Sequence, residues 1–91
     1  MDEIQRENML SELYALIAEL NSQEDCRILF EDLCTNKELE QMAQRLKAAK
    51  LLKSGLTYAK VIEATEISSA TLSRVSRCLQ YGKGYKKFLK D

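Results

Sequence analysis

The sequence predicts an all-helical protein, and three observations support this fold class. The 91 residues include no proline and only three glycines, while residues that favour helices are abundant. Apolar residues recur three and four positions apart along most of the chain. Residues that cap helices precede these periodic stretches. The patterns indicate five or six helices, and the length predicts one domain over residues 1–91.

The first two helices are predicted from apolar stripes with helical spacing. The first stripe consists of Leu10, Leu13, Tyr14, Ile17 and Leu20. Asn21 is expected to end this helix, and Ser22 to cap the next. The second stripe consists of Cys26, Leu29, Phe30, Leu33 and Cys34.

A third helix is predicted from Thr35 to about Lys53. Thr35 and Glu38 have the spacing of a capping box, in which each side chain binds the backbone at the other residue. Gly55 follows the helix at a position where a left-handed cap is common. Lysines in the final turns are favourable to the helix dipole, namely Lys47, Lys50 and Lys53.

Residues 57–79 read as a helix-turn-helix, with the turn at residues 66–68. Thr57 is expected to cap the first helix, and Ser68 or Ser69 the second. A small core is predicted from four residues: Val61, Ile67, Leu72 and Val75. Glu66 occupies the position where a left-handed backbone is common, and this conformation costs a non-glycine residue about 1–2 kcal/mol.

The second helix of this pair has the surface expected of a DNA-reading helix. Its face opposite the core carries small or hydroxyl residues and arginines: Ser69, Ala70, Thr71, Ser73, Arg74 and Arg77. Short side chains let a helix approach base edges, and arginine binds guanine or phosphate through two hydrogen bonds. The alternative is a plain amphipathic hairpin with a serine-rich surface.

Charge is distributed unevenly, although the chain is neutral overall. Residues 1–43 contain three basic and eleven acidic residues, whereas residues 44–91 contain eleven basic and three acidic residues. A basic half that coincides with the helix-turn-helix is expected of a surface that faces phosphates. The alternative is that the two halves neutralise each other within the fold.

The last eleven residues form a basic tail that contains aromatic residues. Gly82 and Gly84 are expected to form a flexible joint, and Tyr85, Phe88 and Leu89 indicate a short terminal helix. The tail is predicted either to contact phosphates or to fold onto a partner subunit. The alternative is a partly frayed and solvated tail.

The composition argues against several classes of protein. There is no histidine, no glycine-rich phosphate loop and no nucleophile with a plausible base, so we expect no enzyme activity, no cofactor and no metal site. Cys26, Cys34 and Cys78 fit no disulfide framework and are expected to be packing residues in a reducing cytoplasm. Neither a secretory leader nor a membrane span is predicted.

The chain resembles the Trp-repressor superfamily, and most closely its smaller YerC/YecD-type branch. The resemblance extends from about Leu10 to Leu79, and its most specific blocks are FEDLCTNKELEQMAQRLKAAKLLKSGLTYAKVIEATEISSATLSRVSRCL and the joint YGKGY. It implies a six-helix fold and an intertwined homodimer in which each protomer presents one helix-turn-helix. Such a dimer reads two half-sites about one helical turn apart.

The resemblance also implies an effector pocket. Thr35, Arg45 and Arg74 fall on the positions that hold tryptophan in the Trp repressor. Val75 stands where the repressor has a glycine that makes space for the ligand, and Cys78 stands where it has a serine. Because a branched side chain in this slot is expected to clash with an indole ring, tryptophan is not the expected ligand. Arg45 and Arg74 are then expected to bind another small anion, a DNA phosphate or carboxylates of the helices. For Thr35 the alternative is that it acts only as a helix cap.

The sequence therefore predicts a DNA-binding transcriptional regulator, acting as a repressor. The expected DNA contacts are Lys60, Ser68, Ser69, Ala70, Thr71, Ser73, Arg74, Ser76 and Arg77. Of these, Ser69, Ala70 and Ser73 are expected to face bases, whereas Thr71, Ser76 and Arg77 are better placed for phosphates. The alternative is a helical dimerisation or adaptor protein that has lost DNA binding and uses its acidic N-terminal half.

Overall fold

The computed structural model describes residues 1–90, and within that range the regular structure is entirely α-helical. The six helices are α1 (Glu3–Ile17), α2 (Gln23–Leu33), α3 (Asn36–Lys53), α4 (Tyr58–Thr65), α5 (Ser69–Tyr81) and α6 (Gly84–Phe88). They divide between two compact units, one ending at Thr35 and one beginning at Asn36. No helix within residues 1–90 has the length and apolar character needed to cross a bilayer.

Helix α1 is shorter at its C-terminal end than the sequence predicts. It begins at a capping box, in which the backbone amide of Gln5 donates to the Asp2 side chain at 2.8 Å. It ends at Ile17 rather than at Asn21, because the backbone hydrogen bonds that follow span three residues instead of the four of an α-helix. Glu19 and Leu20 each donate to a carbonyl three residues earlier, at 3.1 Å. Leu20 therefore lies beyond the helix and not at the end of its apolar stripe.

The N-terminal unit has no buried residue in either of its helices. Large apolar side chains lie at its surface, including Tyr14 at 61% exposure and Leu33 at 48%. Ser22 caps α2 as predicted, since its hydroxyl accepts from the Asp25 amide at 3.0 Å. The apolar side chains of α1 and α2 are thus available to pack against another surface.

The C-terminal unit contains the core that the sequence predicts. Val61, Ile67, Leu72 and Val75 are all buried, with exposures of 4% or less. Ala48 and Ala49 on α3, both fully buried, join the same cluster, as does Leu89. Two small residues in succession on α3 let α4 and α5 pack closely against it. This packing fixes the position of the helix-turn-helix on α3.

The chain beyond α5 is anchored rather than frayed as far as Leu89, which is only 8% exposed. The Lys53 ammonium donates to the Leu89 carbonyl and so connects the end of α3 to the end of α6. Gly55, after α3, has the left-handed conformation predicted for it, with φ of 101°. Gly82, after α5, allows a close approach, because a Cβ atom there would lie 2.6 Å from the Cys78 carbonyl oxygen.

Candidate nucleic-acid interface

The α4–α5 pair has the capping and turn geometry that the sequence predicts. Thr57 caps α4, and its hydroxyl accepts from the Lys60 amide at 3.3 Å. Ser68 caps α5 and accepts from the Thr71 amide at 3.2 Å. Between the helices, Glu66 has φ of 60° and ψ of 18°, which is the left-handed region. The turn is where it was predicted, and α5 continues to Tyr81 instead of ending at Leu79.

A hydrogen bond from α3 holds this turn, and sequence reasoning missed it. The Gln44 side chain donates from Nε2 to the Thr65 carbonyl at 3.1 Å. The Thr65 hydroxyl donates to the Val61 carbonyl at 2.8 Å, and the Ile67 amide donates to that hydroxyl at 3.4 Å. The half-buried Gln44 thus links α3 to the last residue of α4. Its polar side chain gives no sequence signal that separates it from Gln41, the exposed glutamine of α3.

Helix α5 presents one face to the core and the remainder to solvent. Leu72 and Val75 are buried at 0% and 2% exposure. Seven of the nine residues predicted to contact DNA are exposed: Lys60, Ser68, Ser69, Ala70, Ser73, Arg74 and Arg77. Thr71 and Ser76 are half-buried, so they lie at the edges of the exposed face. The exposed part of α5 is mostly polar, as expected of a reading helix, and Tyr81 at its C-terminal end is also exposed.

Two of the predicted contact residues bind each other. The Ser68 hydroxyl donates to the Thr71 hydroxyl at 2.9 Å and accepts from the Thr71 amide. The bond from the Thr71 amide satisfies a backbone donor of the first turn of α5, which has no partner within the helix. The hydroxyls of Ser68 and Thr71 therefore fix the start of α5.

Four of the five residues predicted for an effector pocket line one cavity of about 380 Å³: Arg45, Arg74, Val75 and Cys78. The fifth, Thr35, is exposed and is the last residue of the N-terminal unit. Tyr85 of α6 also lines this cavity and was not predicted to do so. Its only sequence signal was its place just after the glycine joint. Thr71, which was predicted as a DNA contact, lines the cavity as well, so the wall has two guanidinium groups, a thiol, a phenol and a hydroxyl.

The charges around α4 and α5 are mostly positive. Among residues 44–90 the only acidic side chains are Glu63 and Glu66. On α2, Arg27 forms ion pairs with Glu24 and Glu31, which lie three and four residues away. Within residues 1–90, no group of three or more histidine, cysteine or acidic side chains is arranged to hold a metal ion.

Comparisons with known proteins agree on one family. A family model described as Trp repressor protein matches residues 8–91. The uncharacterized protein YerC of Bacillus subtilis (strain 168) is 47% identical over 73 residues, which cover 80% of this chain and 70% of YerC.

Two crystal structures are similar to the chain along most of its length. A candidate Trp repressor from Staphylococcus aureus has a TM-score of 0.84 at 37% identity, covering 98% of this chain and 91% of its own. A TrpR-like protein from Eubacterium eligens ATCC 27750 also has a TM-score of 0.84 at 37% identity, covering 88% and 84%.

Proposed function

This chain belongs to the Trp repressor family, and on that premise we propose that it is a sequence-specific DNA-binding transcriptional regulator that acts as a repressor. In this proposal α5 enters the major groove and α4 crosses the DNA backbone. The observation that carries it is the division of α5 into two faces. Leu72 and Val75 fix one face in the core, and the other exposes serines and arginines.

The proposal extends to individual contacts on α4 and α5. Ser69, Ala70 and Ser73 lie in the exposed first half of α5, where small side chains allow close approach to base edges. Lys60 and Arg77 are exposed cations that suit backbone phosphates. Base contacts would then select the operator, and phosphate contacts would supply salt-dependent affinity.

We propose that the functional unit is a homodimer. The helices of the N-terminal unit bury no side chain of their own, although Ile4, Tyr14 and Leu33 are among their exposed apolar residues. Covering apolar surface contributes roughly 25 cal/mol per Å². A second copy of the chain supplies a cover of matching chemistry. Two-fold symmetry then presents two reading helices to two half-sites.

We further propose that tryptophan does not regulate this protein. Val75 is 2% exposed and belongs to the core cluster, so its isopropyl group is a fixed part of the wall of the Arg45–Arg74 cavity. Closely packed side chains yield little to an added ring. The two arginines suit a smaller anion or a phosphate.

Fluorescence anisotropy with a labelled random duplex at low salt tests DNA binding directly. Sequencing of genomic fragments captured by the protein then tests specificity, and we expect one motif with half-sites about one helical turn apart. Fragments without a shared motif would argue against a sequence-specific regulator. No binding to any duplex at low salt would favour an adaptor that has kept the fold.

A further inference from the structure

A second cavity of about 580 Å³ lies among α3, α4, α5 and α6. Leu52 of α3 and Leu79 of α5 contribute apolar walls, and both also pack against the core cluster. The cavity shares Tyr85 with the Arg45–Arg74 cavity but is lined by different residues of α5. Its volume falls within the range of about 300–1,000 Å³ found for ligand sites.

Every polar side chain that lines this cavity can donate a hydrogen bond. Lys86 provides an ammonium group, and so does Lys53, which also donates to the Leu89 carbonyl. The cavity wall further includes the hydroxyls of Tyr58, Ser76 and Tyr85 and the side-chain amide of Gln80. None of the described residues that line it is acidic. Ammonium and hydroxyl donors around one space suit an anion, because charge-assisted hydrogen bonds are stronger than neutral ones.

The cavity is continuous with the proposed reading surface along α5. Ser69, Ser73, Ser76 and Gln80 are spaced three or four residues apart, so they lie on one side of the helix. The first two are exposed in the reading half of α5, and the last two line the cavity. A DNA backbone that passes along this side of α5 would bring phosphates to the reading surface and to the cavity.

Helix α4 adds to the same electrostatic preference. Tyr58 is the first residue of α4, so the cavity wall includes the N-terminal end of that helix. The dipole of a helix favours negative charge at this end. The helix end supports the argument made from the lysines and hydroxyls and does not replace it.

We propose that this cavity binds a phosphate group, held by Lys86 and Ser76 with Lys53, Tyr58 and Gln80 around it. The identification of that phosphate as part of the DNA backbone rests on the proposed function. In that case α6 extends the contact with DNA beyond the helix-turn-helix. A small phosphorylated molecule presents the same chemistry, and the experiment below distinguishes the two sources.

The first arm of the experiment follows backbone amide resonances of the full chain during titration with inorganic phosphate. We expect saturable shifts at Ser76, Gln80 and Lys86, and about threefold weaker binding in Lys86→Gln. Ser76→Ala removes a donor without changing charge and is expected to weaken binding as well. The matched control is Lys87→Gln. Lys87 adjoins Lys86 but lies over the Phe88 ring and is not part of the cavity wall.

The outcome of this arm decides whether the site exists. Saturable shifts that weaken in Lys86→Gln and persist in Lys87→Gln support the proposal. Either of two results would overturn it: no saturable shift in the unaltered protein, or equal weakening in both lysine variants. Circular dichroism of each variant separates a lost contact from a lost fold.

The second arm identifies the source of the phosphate. It measures affinity for a random duplex as a function of salt concentration. If Lys86 contacts the DNA backbone, Lys86→Gln makes the negative slope of log K against log salt shallower by about 0.9, and Lys87→Gln leaves the slope unchanged. An unchanged slope in Lys86→Gln, together with lost phosphate binding, assigns the site to a small phosphorylated molecule. If the unaltered protein binds no duplex, the proposed function fails, and the first arm alone then decides whether the cavity binds phosphate.

Discussion

Gln44 and Thr65 are 21 residues apart in the sequence, and the Gln44 side-chain amide donates to the Thr65 carbonyl at 3.1 Å. The carbonyl belongs to the last residue of α4, where helical carbonyls lose their partners within the helix. This bond therefore satisfies the end of α4 and holds the turn against α3. The position of α5 depends on that turn.

Replacing Gln44 by alanine is expected to destabilise the protein by about 1 kcal/mol, because a half-buried carbonyl loses its donor. For a domain of this size that lowers Tm by roughly 4–8 °C. Thermal unfolding followed by circular dichroism measures the effect. The control is Gln41→Ala, an exposed position on α3, where we expect less than about 0.5 kcal/mol. Equal effects at the two positions would contradict the assigned role of Gln44.

Replacing Glu66 by glycine is expected to be neutral or to stabilise by up to about 1 kcal/mol. Glu66 has a left-handed backbone with φ of 60°, which glycine adopts without steric cost. Glu63→Gly is the matched control, since it removes the same side chain from within α4 and is expected to cost about 1 kcal/mol. Urea unfolding compares the two variants. Clear destabilisation by Glu66→Gly would mean that its side chain makes an essential contact.

Lys60→Gln and Arg77→Gln are each expected to weaken binding to every duplex and to lower the salt slope by about one. Both side chains are exposed on the proposed reading surface and suit phosphates. Anisotropy titrations over a range of salt concentrations measure the slope. Lys37→Gln, an exposed change in the first turn of α3, should leave it unaltered. Unchanged affinity for random duplex in both variants would refute the phosphate assignment.

Calorimetry of the protein with L-tryptophan is expected to show no binding in the micromolar range. The physical reason is Val75, whose branched side chain is packed into the core beside Arg74. If steric exclusion is the cause, Val75→Ala enlarges the cavity and raises the affinity for tryptophan. Micromolar binding to the unaltered protein would show that Val75 does not close the site.

Sedimentation equilibrium is expected to give the mass of a dimer. Leu33→Glu places a charge on the apolar stripe of α2, where 48% of the residue is exposed, and should shift the equilibrium towards monomer. Gln23→Glu adds the same charge at the start of α2 without touching the stripe, and should leave the dimer intact. A monomer in the unaltered protein at micromolar concentration would exclude the proposed assembly.

The sequence predicted the C-terminal unit best where local chemistry determines the structure. Thr57 and Ser68 cap their helices because their hydroxyls accept from backbone amides three residues ahead. Val61 and Leu72 could be assigned to the core because helical periodicity separates buried from exposed positions. The left-handed turn at Glu66 followed from its place between two capped helices.

Features that depend on long-range packing could not be predicted in the same way. The Gln44–Thr65 bond joins two elements whose relative position only the folded unit defines. The burial of Ala48 beside Ala49 depends on how closely α4 and α5 approach α3. Periodicity also extended α1 too far, because Leu20 continues the apolar spacing although the helix ends at Ile17. Apolar spacing does not report where backbone hydrogen bonding changes.

Gly82 determines the path of the chain after α5. Because glycine has no Cβ atom, its backbone can lie close to the Cys78 carbonyl, and a larger residue would force the two apart. The segment that follows supplies Tyr85 to the walls of both cavities and Leu89 to the core, so their placement depends on this close approach. We therefore expect that a side chain at residue 82 would disturb both cavities and the packing of Leu89 together.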